Sequence, residues 1–205
     1  MFAKEVYVRR RKALLDKMKG ERGIALFIGN VDAPAQYKDN CYKWRQDSTW
    51  LYFFGIDEPR FAATIDLETG EETIYADDFS IDDIIWMGPM PSVSSLAARV
   101  GVSKTAPYDA MSEALKGRVV HFVPASRYAT RLKLAELLGL SPYEVTSDGK
   151  KGCAKASRAL VEAVVSLRLI KEDVEITALE AACDLGYSMH TAARKGIRPG
   201  RVEQE

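Results

Sequence analysis

Five aromatic residues and one polar block share the stretch Trp44-Arg45-Gln46-Asp47-Ser48-Thr49-Trp50-Leu51-Tyr52-Phe53-Phe54-Gly55-Ile56-Asp57-Glu58-Pro59. The run from Leu51 to Phe54 is short, apolar and aromatic, and Gly55 closes it, which predicts a buried strand. The polar block 45–48 lies at the mouth of this strand, where an Arg and an Asp two residues apart suit charge-assisted hydrogen bonds to a loop. Two interpretations stay open: a structural knot, or a surface that faces a ligand.

Working outward, the flanking segments predict alternating helices and strands. Residues 2–18 are an amphipathic helix whose basic run, 9–12, is expected to lie on a solvated face. The continuous apolar run 24–29 is typical of a strand buried on both faces. Two strand-like runs around a polar, glycine-bearing turn predict a β-hairpin over 61–76. Residues 30–43 have the composition of a surface loop.

The second half of the chain continues this alternation. Helices are predicted over 92–100, capped by Ser92, over 109–117, capped by Asp109, and over 128–138. Residues 118–124 read as a strand, in which His121 is expected to be a hydrogen-bonded core or edge histidine. Residues 141–152 are polar and turn-rich and favour a linker. Two further helices follow, the first marked by Ala156, Leu160, Val164 and Leu167 and the second by an apolar stripe that begins at Ile176.

Together these elements predict a mixed α/β sheet of about six strands flanked by helices. The predicted domain covers 1–155, a connecting helix covers 156–171, and the start of a second domain covers 172–205.

An acidic cluster and an exposed-turn candidate, Trp86, lie between the predicted hairpin and the helix predicted over 92–100. Four carboxylates, Asp77, Asp78, Asp82 and Asp83, lack the alternate spacing of a calcium loop, and they favour the acidic start of a helix. Trp86 precedes Gly88 and two prolines, which predicts a rigid turn that displays a large aromatic ring. Core packing and ligand contact both stay open for that ring.

Composition excludes several classes of protein. The net charge is zero, with 29 residues of each sign, which argues against nucleic acid as a partner. No apolar run reaches the roughly 20 residues of a membrane helix, and the first residues lack the apolar core of a signal peptide. Cys41, Cys153 and Cys183 are odd in number and widely spaced, which predicts free thiols in a cytoplasmic protein. With two histidines, a histidine-rich metal site is excluded.

The chain also resembles a known family. Arg-Gln-Asp-Ser before an aromatic run and Gly-Ile-Asp-Glu-Pro is similar to the amino-terminal domain of aminopeptidase P, in the creatinase/prolidase superfamily. Further agreements are the opening helix, Ile85-Trp86-Met87-Gly88, Leu167-Arg168-Leu169-Ile170-Lys171 with Ile176, and Arg198-Pro199-Gly200 with Glu203. These segments keep the family's order, and the resemblance covers nearly the whole chain.

The resemblance implies a role and a set of contacts. It implies a chain truncated before the metal-binding pita-bread domain, so that no catalytic or metal residue is expected within it. Trp86, Asp39 and Tyr42 are implied to face the substrate entrance of a neighbouring subunit, and an aromatic ring suits contact with a prolyl ring. For Asp39 and Tyr42, a turn aspartate and an anchoring tyrosine are the open alternatives.

The expected function is that of a non-catalytic amino-terminal domain in a Xaa-Pro aminopeptidase, shaping substrate access and joining subunits. The parent enzyme would act on peptides with proline at the second position, use two manganese ions, and form a cytoplasmic dimer or tetramer. The domain alone is expected to be inactive. Prolidase, a Xaa-Pro dipeptidase, and a non-catalytic peptide- or protein-binding module of the same superfamily remain the alternatives.

Overall fold

The structure is a computed structural model, and it describes residues 1–37, 39–145, 157–202 and 204. The chain divides into two compact units, Met1–Leu167 and Arg168–Glu205. The predicted domain boundaries near residues 155 and 171 stay predictions.

A mixed sheet of five strands forms the centre of the first unit, as predicted in type. The strands are β1 Ile24–Ile28, β2 Ala62–Asp66, β3 Glu72–Tyr75, β4 Lys104–Ala106 and β5 Val120–His121. The spatial order is β4-β3-β2-β1-β5; β2 is antiparallel to β1 and β3, whereas β4 and β5 run parallel to their neighbours β3 and β1. The described residues therefore hold five strands, where the sequence predicted about six.

Helices cover both faces of the sheet and continue beyond it. In the first unit they are α1 Lys4–Lys17, α2 Ser48–Phe53, α3 Ile81–Met87, α4 Val93–Arg99, α5 Met111–Leu115, α6 Tyr128–Leu138 and α7 Arg158–Leu169, with a 3-10 turn at Tyr108–Ala110. The division between the two units falls in the last turn of α7, and α8 Asp173–Gly196 makes up most of the second unit.

The prediction of a strand over 51–54 is wrong, because this segment lies in and just after helix α2. Asp47 caps the helix by accepting hydrogen bonds from the amides of Thr49 and Trp50. Trp50, Phe53 and Phe54, at helical spacing, point into the core. Gly55 follows in the left-handed conformation, at φ +62°, and the Tyr7 ring lies where any side chain would stand. Helix signals at both ends therefore outweigh the strand-like composition between them.

The solvated face predicted for the basic run of α1 is wrong for two of its members. Arg10 and Arg11 are buried. Arg10 donates to the carbonyl of Tyr52, and Arg11 donates to the carbonyls of Phe53 and Val100. Because the last carbonyls of a helix lack partners within it, the two guanidinium groups satisfy the carboxyl end of α2. Arg11 Nε also lies 2.9 Å from a carboxylate oxygen of Glu72, an ion pair without hydrogen-bond alignment.

Two hydrophobic cores lie against the sheet. The larger core joins α1, α2, α4 and α7, and the smaller core joins the 3-10 turn, α5 and α6. Neighbouring residues of β1 divide between them: Ala25 and Phe27 belong to the larger core, Ile24 and Leu26 to the smaller. This alternation confirms that β1 is a strand buried on both faces.

Other local predictions have mixed outcomes. The hairpin is confirmed, because β2 and β3 pair antiparallel. Helices α4, capped by Ser92, and α6, ended by Gly139 at φ +63°, are also confirmed. The cap predicted at Asp109 is wrong, since α5 begins at Met111 after the 3-10 turn. The strand predicted over 118–124 shrinks to Val120–His121. The larger part of the predicted linker, 146–152, and Ala156 lie outside the described residues.

The second unit is helical. Helix α8 begins with a capping box in which Glu172 and Glu175 exchange backbone and side-chain contacts. No residue of α8 is buried, and its apolar side chains, including Ile176, Leu179 and Met189, are exposed.

Candidate functional site

The polar block 45–48 is organised by Gln46, which is almost completely buried. Its Oε1 accepts hydrogen bonds from the amides of Asn30 and Asp47, at 2.6 and 2.8 Å, and its Nε2 donates to the carbonyl of Glu58. One side chain thus joins the segment after β1, the start of α2 and the segment before β2. The sequence pattern predicted no role for Gln46, although an amide side chain carries both a donor and an acceptor and therefore suits this task.

The other residues of this block, Arg45, Asp47 and Ser48, lie around Gln46. Asp47 caps α2 through backbone amides. The side chains of Arg45 and Ser48 are exposed, and the carbonyl of Arg45 accepts from the Asn30 side chain. These contacts favour the structural interpretation of the block. No ion pair between Arg45 and Asp47 occurs among the contacts of the described residues.

A cleft of about 380 Å³ lies where the carboxyl ends of β1 and β3 meet the start of β2. Arg60 crosses this edge with a positive φ of 61° and places its guanidinium over the ring of Tyr108, 5.1 Å from the ring centroid. Its Nη2 lies 3.5 Å from Asp77, whose other oxygen accepts from the amide of Tyr108. Burial raises the pKa of the Tyr108 hydroxyl. The lining residues are Val31, Asp32, Pro59, Arg60, Phe61, Asp77, Asp78, Phe79 and Asp83.

The acidic cluster after β3 starts a helix, as predicted. Ser80 caps α3, and Asp83 returns the contact, so that the two residues form a capping box. Hydrogen bonds from the Ser80 hydroxyl and amide lower the pKa of Asp83. Asp82 stands beside Asp83 in the first helical turn, where a negative charge is favourable.

Trp86 lies on α3, so the prediction that this residue belongs to a turn rather than a helix is wrong. The helix continues through Met87 and ends at Gly88, which has a φ of +82°. The indole is 87% exposed and belongs to neither core. We call residues 79–92 the α3 arm, since they leave the sheet after β3 and return at α4. The arm displays five large apolar side chains: Ile81, Ile84, Ile85, Trp86 and Met87.

Asp39 and Tyr42 lie on a different segment. A bridge between Pro34 and Cys41 closes the turn that holds Asp39, and the amide of Tyr42 donates to the carbonyl of Ala33. Both side chains are exposed. Among the described residues, no hydrogen bond or ring contact joins Trp86 to either of them. The structure therefore displays these three residues without assembling them into one site within the first unit.

His121 is a hydrogen-bonded core residue, as predicted. Its Nε2 donates to the carbonyl of Arg22, at 2.9 Å, and its Nδ1 shares a hydrogen bond of 2.7 Å with the Ser157 hydroxyl. Cys41 and Cys183 are exposed and form no disulfide among the described residues, and Cys153 lies outside them.

The described residues contain no group of three or more His, Cys, Asp or Glu side chains that could hold a metal ion. Across the same residues, no helix is both long enough and apolar enough to cross a membrane.

The family model of the aminopeptidase P N-terminal domain matches residues 7–121. A Xaa-Pro aminopeptidase of Escherichia coli is 24% identical over 212 aligned residues, which cover 98% of this chain and 46% of that protein. A probable Xaa-Pro aminopeptidase of Ajellomyces capsulatus is 24% identical over 86% of this chain and 32% of its own length.

Solved structures agree with this in fold. Aminopeptidase P from E. coli, in a low-pH form, superposes with a TM-score of 0.76 at 21% identity, covering 99% of this chain and 47% of that chain. The aminopeptidase PepP of Pseudomonas aeruginosa superposes with a TM-score of 0.77 at the same identity and coverage. The chain thus spans about half the length of its bacterial relative and about a third of the fungal one.

Proposed function

Because the chain belongs to the family of aminopeptidase P N-terminal domains, we propose that it is the non-catalytic amino-terminal domain of a Xaa-Pro aminopeptidase. The match over residues 7–121, together with relatives that carry this enzyme's name, is the observation that carries the proposal. The names of both relatives favour an aminopeptidase over the alternative of a prolidase. In this proposal the parent protein is cytoplasmic and releases the residue that precedes proline at the amino end of a peptide.

The proposal assigns no chemical step to the described residues. They offer no ligand cluster for a metal, so the metal ions do not fit within this part of the chain. We place two manganese ions in a part of the parent enzyme outside these 205 residues. A pair of bound metal ions supplies an activated water and a polarised carbonyl.

The proposed task of the domain is to shape substrate access and to join subunits. The support lies in the α3 arm, where an exposed indole and four exposed apolar neighbours stand together. Contiguous apolar side chains on a surface are typical of a protein or ligand contact. Trp86 would line the entrance of a neighbouring subunit's active site, where its flat ring suits a prolyl ring. Asp39 and Tyr42, exposed on their own turn, would contribute to the same entrance.

Substitution of Trp86 in the complete gene product tests this role. We expect Trp86→Ala to lower kcat/KM on Xaa-Pro peptides by about tenfold, the scale of one important aromatic contact. Tyr128→Ala is the matched control, because Tyr128 is an exposed aromatic on another helix, α6. Equal activity of the two variants would contradict a role of Trp86 in substrate access.

A mixing experiment tests the contact between subunits. One subunit carries Trp86→Ala with an intact metal centre, and the other carries native Trp86 with its metal ligands replaced. If Trp86 acts on a neighbour, mixed oligomers are more active than either parent alone. A mixture that regains nothing would place the contact within one subunit. Metal analysis of the purified gene product tests the identity and number of the ions.

A further inference from the structure

No side chain of the α3 arm belongs to either hydrophobic core. None of residues 79–92 is buried, although the arm carries large apolar side chains. Residues on either side are in the core: Tyr75 and Ala76 are buried before the arm, and Val93 and Leu96 are buried after it. The position of the arm relative to the sheet therefore depends on contacts at its base, where the chain leaves and returns.

One hydrogen bond joins the two ends of this base. Asp78 Oδ1 accepts from the backbone amide of Val93, with a nitrogen–oxygen distance of 2.6 Å. Val93 is the first residue of α4, and its amide has no partner within the helix. Ser92 caps a different amide, that of Ser95. The carboxylate of Asp78 also lies at the positive end of the α4 dipole.

The residue before Asp78 fixes this base to the sheet. Asp77 accepts from the amide of Tyr108 and faces the guanidinium of Arg60. The amide of Ala76 donates to the carbonyl of Ala106, which extends the pairing of β3 with β4. The backbone is thus anchored up to residue 77, and the next side chain spans the gap to α4.

We propose that Asp78 is a positioning residue for Trp86: its bond to Val93 closes the base of the α3 arm and thereby sets where the indole stands. The importance of that position for substrate rests on the proposed function. The closure of the arm's base is independent of the proposed function. Substitution of Asp78 should therefore change the arm without unfolding the sheet. The two carboxylates have different partners at the base of the arm: Asp77 binds the sheet side, and Asp78 binds the start of α4.

Distance measurement between two spin labels tests the closure in the 205-residue chain. Labels are placed at Ile85→Cys on the arm and at Lys12→Cys on the exposed side of α1, after Cys41, Cys153 and Cys183 are changed to Ser. We expect Asp78→Ala to broaden the distance distribution by about twofold, because the arm then moves about an open base. Asp78→Asn, which keeps an oxygen acceptor for Val93, should retain most of the native width.

Two controls separate closure from general damage. Asp82 lies on the same arm, and its carboxylate makes no hydrogen bond among the described residues. Asp82→Ala should therefore leave the width of the distance distribution unchanged. Ser92→Ala weakens the cap of α4 without opening the bond from Asp78, so it should lower thermal stability slightly and leave the width near native. An unchanged width in Asp78→Ala, or equal broadening in Ser92→Ala, would overturn the proposal.

Kinetics of the complete gene product keep the two proposals apart. If both hold, Asp78→Ala raises KM for Xaa-Pro peptides in the same direction as Trp86→Ala, and Asp78→Asn restores it. A broadened distribution with native kinetics in both Asp78→Ala and Trp86→Ala would support the closure and overturn the role of Trp86. Native width in Asp78→Ala overturns the closure whatever the kinetics of Trp86→Ala.

Discussion

Arg11 and Trp86 reverse the usual places of a charged and an aromatic side chain. The guanidinium of Arg11 is fully buried in α1, whereas the indole of Trp86, on α3, is 87% exposed. The two terminal nitrogens of Arg11 donate to the carbonyls of Phe53 and Val100, and its Nε lies beside the carboxylate of Glu72. Each nitrogen of the guanidinium group therefore faces an oxygen. Among the described residues of the first unit, no hydrogen bond or ring contact reaches the Trp86 indole. Residue type alone therefore does not decide burial; the partners that the fold supplies decide it.

The comparison extends to the roles that we infer for the two regions. The buried arginines join α1 to the carboxyl end of α2 and hold the fold together. The α3 arm adds little to the core and is available for contacts outside the domain. Substitutions among the buried arginines should therefore change stability, and substitutions in the α3 arm should change function.

The largest effect is expected for Arg11→Ala. Removal of the guanidinium leaves two buried carbonyls and Glu72 without their partner, and we expect a loss of about 3–5 kcal/mol in the free energy of unfolding. Urea denaturation measures it, with Lys12→Ala, an exposed neighbour on the same helix, as the control. Arg11→Lys should recover only part of the loss, because an ammonium cannot reproduce the guanidinium fork. Equal stability of Arg11→Ala and Lys12→Ala would erase the contrast.

The two tryptophans give the next test. Trp50 is 1% exposed, stacks on Phe54 and donates to the carbonyl of Ile56. Trp50→Ala should cost about 3–5 kcal/mol, as large-to-small core changes do. Trp86→Ala should cost about 0.5 kcal/mol, the scale of a surface substitution. Parallel melting of both variants checks the difference, and a large loss in Trp86→Ala would mean that the arm belongs to the folding core.

Gln46 and Arg45 provide a matched pair within the polar block. Gln46→Ala removes a buried amide that serves three backbone partners, and we expect a loss of about 2–3 kcal/mol. Arg45→Ala, one residue away, removes an exposed side chain and should change stability by about 0.5 kcal/mol or less. Chemical denaturation of the two variants is the measurement. A larger loss of stability in Arg45→Ala than in Gln46→Ala would show that Arg45 is the residue that stabilises the polar block.

The smallest effect concerns a pair at the surface and sharpens the contrast with Arg11. Burial alone would raise the pKa of Asp66, but hydrogen bonds from Arg118 and from the amides of Thr69 and Glu68 lower it from 3.8 to about 2. A lowered pKa in the folded state means stability that is present above pH 4 and is lost as the pH falls towards 2. We expect about 1 kcal/mol at pH 7, because Arg118 is partly exposed and solvent screens the pair.

Asp66→Asn tests that contribution. The variant should be less stable than the native chain at pH 7, and the two should converge as the pH falls through 2, where the native carboxylate becomes protonated. Urea midpoints over this range measure the difference, with Asp82→Ala as a surface control. A difference that stays constant with pH would show that the charge of Asp66 is not its cause.

The alternation of helices and strands could be predicted because it depends on patterns of neighbouring residues. The continuous apolar run of β1, the glycine-bearing turn between β2 and β3, and the caps at Ser92 and Gly139 each depend on neighbouring residues. The family also followed from short motifs with their order along the chain. The strand wrongly predicted over 51–54 also depends on local patterns. Asp47 as a cap and Gly55 as an end are helix signals, whereas the aromatic composition between them is typical of a strand.

The sequence by itself determined the mixed α/β class, most element positions and the likeness to aminopeptidase P. Only the tertiary structure decided that Arg10 and Arg11 are buried, that Gln46 is the centre of the polar block, and that Asp78 closes the base of the α3 arm. Tyr52 lies 42 residues from Arg10, Asn30 lies 16 residues from Gln46, and Val93 lies 15 residues from Asp78. Local periodicity does not encode such pairings, because a polar group becomes stable in the interior only when the fold brings a distant donor or acceptor to it.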